Sequence, residues 1–260
     1  MSSHALELSY EVMNDFSKIK LNGKKLTFFT TGTVARTMPS ILKQMVADGH
    51  EVGSHYNLHD LMFKQSNYEI EKNLNIAKES IYKACGQEAI GFRAPVFSIT
   101  PDRLDIFKEI DKVFKYDSSH VLNLNLHDKI FYKSLKPFDE IDLIEFPIVP
   151  KGYINGKAQI KSGGTFLRLF SKKIIKDVME FNHENGFTPQ VYMHPYDYLS
   201  NQEFWVKLNA FSRTKKIANI IKYLRQNQWS RLGNGSVFNK LDYLLNFFEH
   251  KGPMSESINV

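Results

Sequence analysis

The stretch Gly49–His59, GHEVGSHYNLH, decides how this chain reads. Its centre, Glu51–Ser54, is a short strand-like run that stops at the polar residue His55, and Gly49 before it suits the C-terminal cap of a preceding helix. That helix, Pro39–Asp48 (PSILKQMVAD), opens on a proline, which fits the first helical turn. Two histidines, His55 and His59, follow the strand four residues apart, so one helical turn would set both imidazoles on one side. Imidazoles at this spacing can share a zinc or similar divalent ion. Taken alone the pair is more readily read as two surface or capping histidines.

The same alternation extends outward in both directions. Strand-like runs stand at Leu26–Thr30, Ile90–Arg93, Ile144–Pro147 and Gln190–Met193, each ending in polar residues. Helix-like segments lie between and after them. In Glu69–Ala84 the residues Ile70, Leu74, Ile76, Ala77, Ile81 and Ala84 fall near helical spacing and Gly86 can close the turn. Thr100–Glu109 opens on Thr-Pro-Asp, and Lys172–Glu184 and Arg213–Gln226 complete the set. This is the pattern of an α/β fold, a parallel sheet or barrel wrapped by helices. In such folds polar residues just after strands gather at one rim, where His55, Arg93 and His194 all stand.

A chain of 260 residues with 42% hydrophobic and 24% charged side chains can bury a single α/β core. The expected organisation is one domain over 1–250 with a flexible tail at 251–260. The net charge of +6 is carried by scattered lysines among 28 acidic residues, so the basic stripe that nucleic-acid binding requires is missing. A diffuse positive surface is compatible with an anionic glycan or a lipid-linked sugar. One cysteine, Cys85, excludes an internal disulfide. No run approaches the roughly 18 apolar residues of a membrane span, and the first residues lack a secretion signal. A cytoplasmic location, or one peripheral to a membrane, is expected.

Three stretches in order, Thr27–Ala35 (TFFTTGTVA), GHEVGSHYNLH and Gly91–Ser98 (GFRAPVFS), resemble the polysaccharide deacetylases, the NodB-homology or carbohydrate esterase family 4 group. Tyr116–Ser119 (YDSS), Ser162–Phe170 (SGGTFLRLF) and Val191–Asp197 (VYMHPYD) look like the branch found with bacterial surface-polysaccharide synthesis. The resemblance covers about residues 25–225. It implies a distorted (β/α)7 barrel and metal-dependent hydrolysis of N-acetyl groups on aminosugars of a surface polysaccharide or its precursor.

Residue by residue, the resemblance makes His55 and His59 ligands of an ion, usually zinc and sometimes cobalt or nickel. His194 matches the general acid that protonates the departing amine, a task that suits imidazole because its ordinary pKa lies near working pH. Arg93 matches the arginine that pairs with a carboxylate beside the site, for which Asp117 is the candidate partner; a structural salt bridge elsewhere is the alternative. The N–H of Val96, after Pro95, corresponds to the oxyanion donor. Gly163 and Gly164 either admit the sugar closely or simply form a turn. Phe97, Tyr116 and Tyr196 either stack on sugar rings or pack the core.

One part of the family pattern is absent. Members normally begin with a strand ending in TFDD or TFDxE, whose aspartates supply a metal ligand and the general base. Glu7 is the only carboxylate at a suitable distance before Thr27, while Glu11 and Asp15 read as part of a first helix. The chain is therefore expected either to lack its first barrel strand or to be a degenerate member, a glycan-binding pseudoenzyme.

Overall fold

The structure, a computed structural model, describes residues 23–122, 124, 140–156, 158–198 and 231–258. The expected helix at 213–226 and the carboxylates Glu7, Glu11 and Asp15 lie outside the described residues. Contacts group the chain into two compact units, 24–150 with 251–260, and 151–250, and each is described by itself.

The first unit is built on five parallel strands: β1 (Thr27–Thr30), β2 (Glu51–Ser54), β3 (Gly91–Phe92), β4 (Tyr116–Asp117) and β5 (Ile144–Glu145), neighbours in that order. Helices α1 (Gly32–Thr37) and α2 (Pro39–Ala47) connect β1 to β2, α3 (Asn67–Cys85) connects β2 to β3, and α4 (Ile106–Asp111) connects β3 to β4. The expected α/β fold with a parallel sheet is what forms. Among the described residues no pairing joins β5 back to β1.

The long helix α3 shows why local sequence suffices for some elements. The Ser66 hydroxyl accepts from the Glu69 N–H, and the Glu69 carboxylate accepts from the Ser66 N–H, so a capping box starts the helix. Gly86, at φ 76°, ends it in a left-handed conformation that costs glycine little. Its face of Ile70, Leu74, Ala77 and Ile81 is fully buried, against α1, α2, α4 and β2. By contrast, the expected helix at 100–109 starts later, at Ile106, after a turn in which Arg103 bonds the Phe63 and Gln65 carbonyls.

Register fixes two rows of side chains, because successive residues of a strand point to opposite faces. One row holds Thr30, Ser54, Phe92, Asp117 and Glu145 in mutual register. The other holds Phe29, Gly53, Gly91 and Tyr116. A side chain on Gly91 would collide with Tyr116, since a Cβ there would sit 1.9 Å from the Tyr116 Cζ, and one on Gly53 would meet the Phe29 ring. Tyr116 is fully buried and donates to Glu51 Oε1 at 2.8 Å.

Residues 251–258, expected to be a flexible tail, carry a 3₁₀ turn at Met254–Ser257. The Met254 N–H donates to the Thr27 hydroxyl at 2.8 Å and the Ser255 N–H to Glu51 Oε2 at 3.2 Å. This segment therefore closes the N-terminal ends of β1 and β2.

The second unit has an antiparallel hairpin, β6 (Lys151–Tyr153) with β7 (Ala158–Ile160), and helices α5 (Gly164–Leu169), α6 (Lys172–Glu184) and α7 (Val237–Leu244). Helix α6 has the expected bounds, with the Ser171 hydroxyl capping the Ile174 N–H. The expected strand Gln190–Met193 does not form. Its carbonyls are taken locally instead, that of Gln190 by the Ser162 hydroxyl and that of Tyr192 by the Gly164 N–H.

Candidate active site

His55 sits one residue beyond β2, its backbone N–H donating to the Thr30 carbonyl at 2.8 Å. The next residue, Tyr56, takes a φ of 71°, so the chain turns sharply here and no helix forms over 55–59. The two imidazoles nevertheless meet, with ring centroids 5.2 Å apart and planes at 66°. Their proximity comes from a strand-end turn rather than from helical spacing. What holds Tyr56 in this uncommon conformation is burial: its ring is fully enclosed, edge-on to Phe92, and its hydroxyl bonds Gln65.

The Nδ1 of His55 lies 2.7 Å from the Arg93 carbonyl oxygen. A carbonyl only accepts, so Nδ1 carries the proton and Nε2 the lone pair. This is the arrangement by which an outer hydrogen bond fixes a histidine tautomer for metal binding. His55 is half-buried and His59 exposed, so the pair stands at the surface of the sheet's C-terminal rim. Tautomer and spacing fit a divalent cation. Among the described residues no third His, Cys, Asp or Glu joins them to complete a ligand group.

Arg93 is held by the strand end opposite. Its Nε donates to the Ser118 carbonyl at 3.0 Å and its Nη2 to the Ser118 hydroxyl at 2.7 Å. The guanidinium lies over the Phe29 ring at 4.6 Å and near that of Phe97 at 5.9 Å. The two-pronged bond expected with Asp117 is replaced by these contacts, and register gives the reason. Asp117 pairs with Phe92, one residue before Arg93, so its carboxyl projects to the opposite face of the sheet.

There Asp117 is fully buried beside its register partner Glu145, and both carboxyls are pushed up by burial. For Glu145 the adjacent Asp117 charge adds to the effect. Asp117 accepts from the Ser119 N–H at 3.0 Å and the Ser119 hydroxyl at 2.5 Å. Tyr116, likewise, is a core residue bonded to Glu51 and has no surface on which a sugar could stack.

Pro95–Phe97 forms a 3₁₀ turn in which Val96 and Phe97 both have positive φ, 55° and 53°. Such angles are strained for a β-branched residue. Val96 is 65% exposed, so this residue stands open to solvent after β3. The Phe97 ring is engaged with Arg93.

In the second unit His194 is the centre of a network that sequence reading had missed. Its Nδ1 lies 2.9 Å from Asp197 Oδ2, and its backbone N–H donates to the same oxygen at 2.8 Å. Asp197 Oδ1 is 2.8 Å from Arg168 Nε, and both side chains are buried. Arg168 also donates to Asn234 Oδ1 at 3.3 Å and to the Thr165 hydroxyl at 3.2 Å, while the Asn234 amide donates to the Tyr196 carbonyl at 2.7 Å. A buried arginine thus holds a buried aspartate, which holds the imidazole. The i, i+3 spacing of His194 and Asp197 was a usable signal; Arg168 and Asn234, far apart in sequence, carried none.

Tyr196 stacks on His194 with centroids 4.8 Å apart and planes within 6°. Gly163 and Gly164 lie beneath the Tyr192 ring, and a Cβ on Gly163 would fall 2.3 Å from Tyr192 Cδ1. A tyrosine of this chain, then, accounts for both glycines, with Gly164 also at a φ of 54°.

In the first unit a parallel α/β sheet thus carries a histidine pair at its C-terminal rim, a candidate cation site. The sequence profile of the polysaccharide deacetylases matches residues 16–113. The chain is 31% identical over 85 residues to a chitooligosaccharide deacetylase of Azorhizobium caulinodans, covering 32% of this chain and 40% of that protein. It is also 31% identical over 91 residues to a peptidoglycan-N-acetylmuramic acid deacetylase of Bacillus subtilis, covering 34% of each. The matched stretch spans 34 to 40% of the length of these curated relatives. A family 4 carbohydrate esterase from Streptomyces lividans, solved with acetate, superposes with a TM-score of 0.42 at 14% identity, over 75% of this chain and 74% of that one. No helix among the described residues is long and apolar enough to cross a membrane.

Proposed function

We propose that this protein hydrolyses N-acetyl groups from aminosugars of a bacterial surface polysaccharide or its lipid-linked precursor. The observation that carries the reading is the His55–His59 pair, with the His55 tautomer set by the Arg93 carbonyl. The match of residues 16–113 to the polysaccharide deacetylase profile supports the reaction class, and the segments YDSS, SGGTFLRLF and VYMHPYD support the substrate class.

In this reading His55 and His59 hold a divalent ion, zinc being the first candidate, with cobalt or nickel able to replace it. Such an ion supplies polarisation of the acetamide carbonyl and a more acidic water. The Val96 N–H, in the Pro95–Phe97 turn, stabilises negative charge developing on the carbonyl oxygen. By resemblance, His194 of the second unit matches the acid that gives the departing amine its proton. That proton comes from Nε2, because Nδ1 faces Asp197, whose carboxylate accepts the Nδ1 proton and stabilises the imidazolium. Arg168 holds Asp197 in place.

The test is acetate release from N-acetylglucosamine oligomers by the purified chain supplied with zinc, cobalt or nickel. Release that is lost in His55→Ala and in His194→Ala is the expected result. No release with any of the three ions overturns the reading, and tight sugar binding that persists in chelator would then identify a glycan-binding protein on the same scaffold.

A further inference from the structure

The buried Asp117–Glu145 pair has no place in the chemistry above, yet it is expensive to build. Two carboxyls occupy matched positions on β4 and β5, fully enclosed, where neither can be solvated. Burial disfavours a charge on either carboxyl, and for Glu145 the neighbouring Asp117 charge adds to that. Glu145 Oε1 also accepts from the His120 N–H at 3.1 Å.

The pair's other contacts lead toward the rim. Ser119 donates its hydroxyl proton to Asp117 Oδ1 at 2.5 Å, and the same hydroxyl oxygen accepts from the Ala94 N–H at 2.7 Å. Ala94 and Ser119 are both buried, so water does not compete for these bonds. Ala94 is also the residue on which the Pro95–Phe97 turn closes, since its carbonyl accepts from the Phe97 N–H at 3.1 Å. Two consecutive non-glycine residues at positive φ persist only where their surroundings over-determine them. On the far side the turn is tied through Ser98, whose hydroxyl accepts from the Met62 N–H at 3.1 Å. On the near side the tie is Ala94 to Ser119 to Asp117.

We propose that Asp117 and Glu145 are positioning residues: through the Ser119 hydroxyl they anchor Ala94 and so hold the strained Pro95–Phe97 turn with Val96 presented to the substrate carbonyl. The role of Val96 rests on the deacetylase reading. The anchoring itself does not.

The experiment measures both halves on the full chain. Ser119→Ala removes the acceptor of the Ala94 N–H. Amide hydrogen exchange over residues 94–98 is expected to accelerate by about tenfold or more, while exchange in α3, residues 67–85, is unchanged. In the same variant kcat for acetate release is expected to fall about tenfold to a hundredfold with KM nearly constant, because a displaced donor weakens only the transition state. Unchanged exchange at 94–98 overturns the anchoring. Accelerated exchange with unchanged kcat overturns its part in turnover. Should the wild-type chain release no acetate, the deacetylase reading fails and exchange alone decides the anchoring. If exchange in α3 also accelerates in Ser119→Ala, the comparison passes to Glu145→Gln, which keeps a polar group beside Asp117, and Glu145→Leu, which does not. Faster exchange at 94–98 only in the leucine variant supports the proposal, and equal exchange in the two refutes it.

Discussion

Replacing Arg168 with methionine should be among the most damaging single changes in the 151–250 unit. Arg168 and Asp197 form an ion pair at 2.8 Å with side-chain exposures of 1% and 0%. Methionine fills much of the volume but leaves the carboxylate of Asp197 in a dry site without its cation. Breaking one side of a buried pair typically costs about 3–5 kcal/mol. Asp197 keeps two donors, the backbone N–H and Nδ1 of His194, at 2.8 and 2.9 Å. That puts the expected loss near the lower end, about 3 kcal/mol. Urea unfolding followed by circular dichroism measures it, and the double variant Arg168→Met/Asp197→Leu separates the pair from the packing. If the aspartate's stranded charge is the cause, the double variant recovers at least about 1.5 kcal/mol relative to the sum of the singles. A loss below about 1 kcal/mol in Arg168→Met, or strict additivity, refutes the argument.

Three further outcomes follow from the geometry. His55→Ala should abolish zinc or cobalt binding measured by titration calorimetry, whereas His194→Ala should bind the ion as the wild type does and lose about a hundred- to ten-thousandfold in turnover. Burial pushes the His120 imidazole down to about 4 from an ordinary 6.5, so the unfolded chain takes up a proton that the folded one refuses as pH falls through that window. Stability from this group is full above pH 6.5 and lost toward pH 4, by about 3 kcal/mol, and His120→Phe, beside Phe107, should remove that part of the acid slope in urea midpoints. Glu145 has the opposite sign: its folded pKa is raised, so its contribution is greatest below the ordinary 4.5 and declines as pH rises toward the folded value. Glu145→Gln should gain stability over the wild type at pH 8 relative to pH 5 by the same assay.

Sequence alone determined the elements whose signals are local. Helices α2, α3 and α6 begin at a proline or a capping serine and end near a glycine or polar cap, and their expected bounds agree with the structure to within two residues. Strands β1 and β2, and the nearness of His55 to His59, were also legible, although the helical turn invoked for the histidines was the wrong device.

Tertiary structure decided everything that depends on register and burial. Whether Asp117 meets Arg93 turns on a one-residue offset between β3 and β4, and a side-chain period of two converts that offset into opposite faces of the sheet. Whether Tyr116 greets a sugar or fills the core depends on the space left by Gly91, a residue 25 positions earlier that only parallel pairing brings alongside. Arg168 and Asn234 reach His194 through Asp197 and the segment after it, across a separation no local pattern encodes. Local caps are written in adjacent residues; a buried charge finds its partner only when the chain has closed around it.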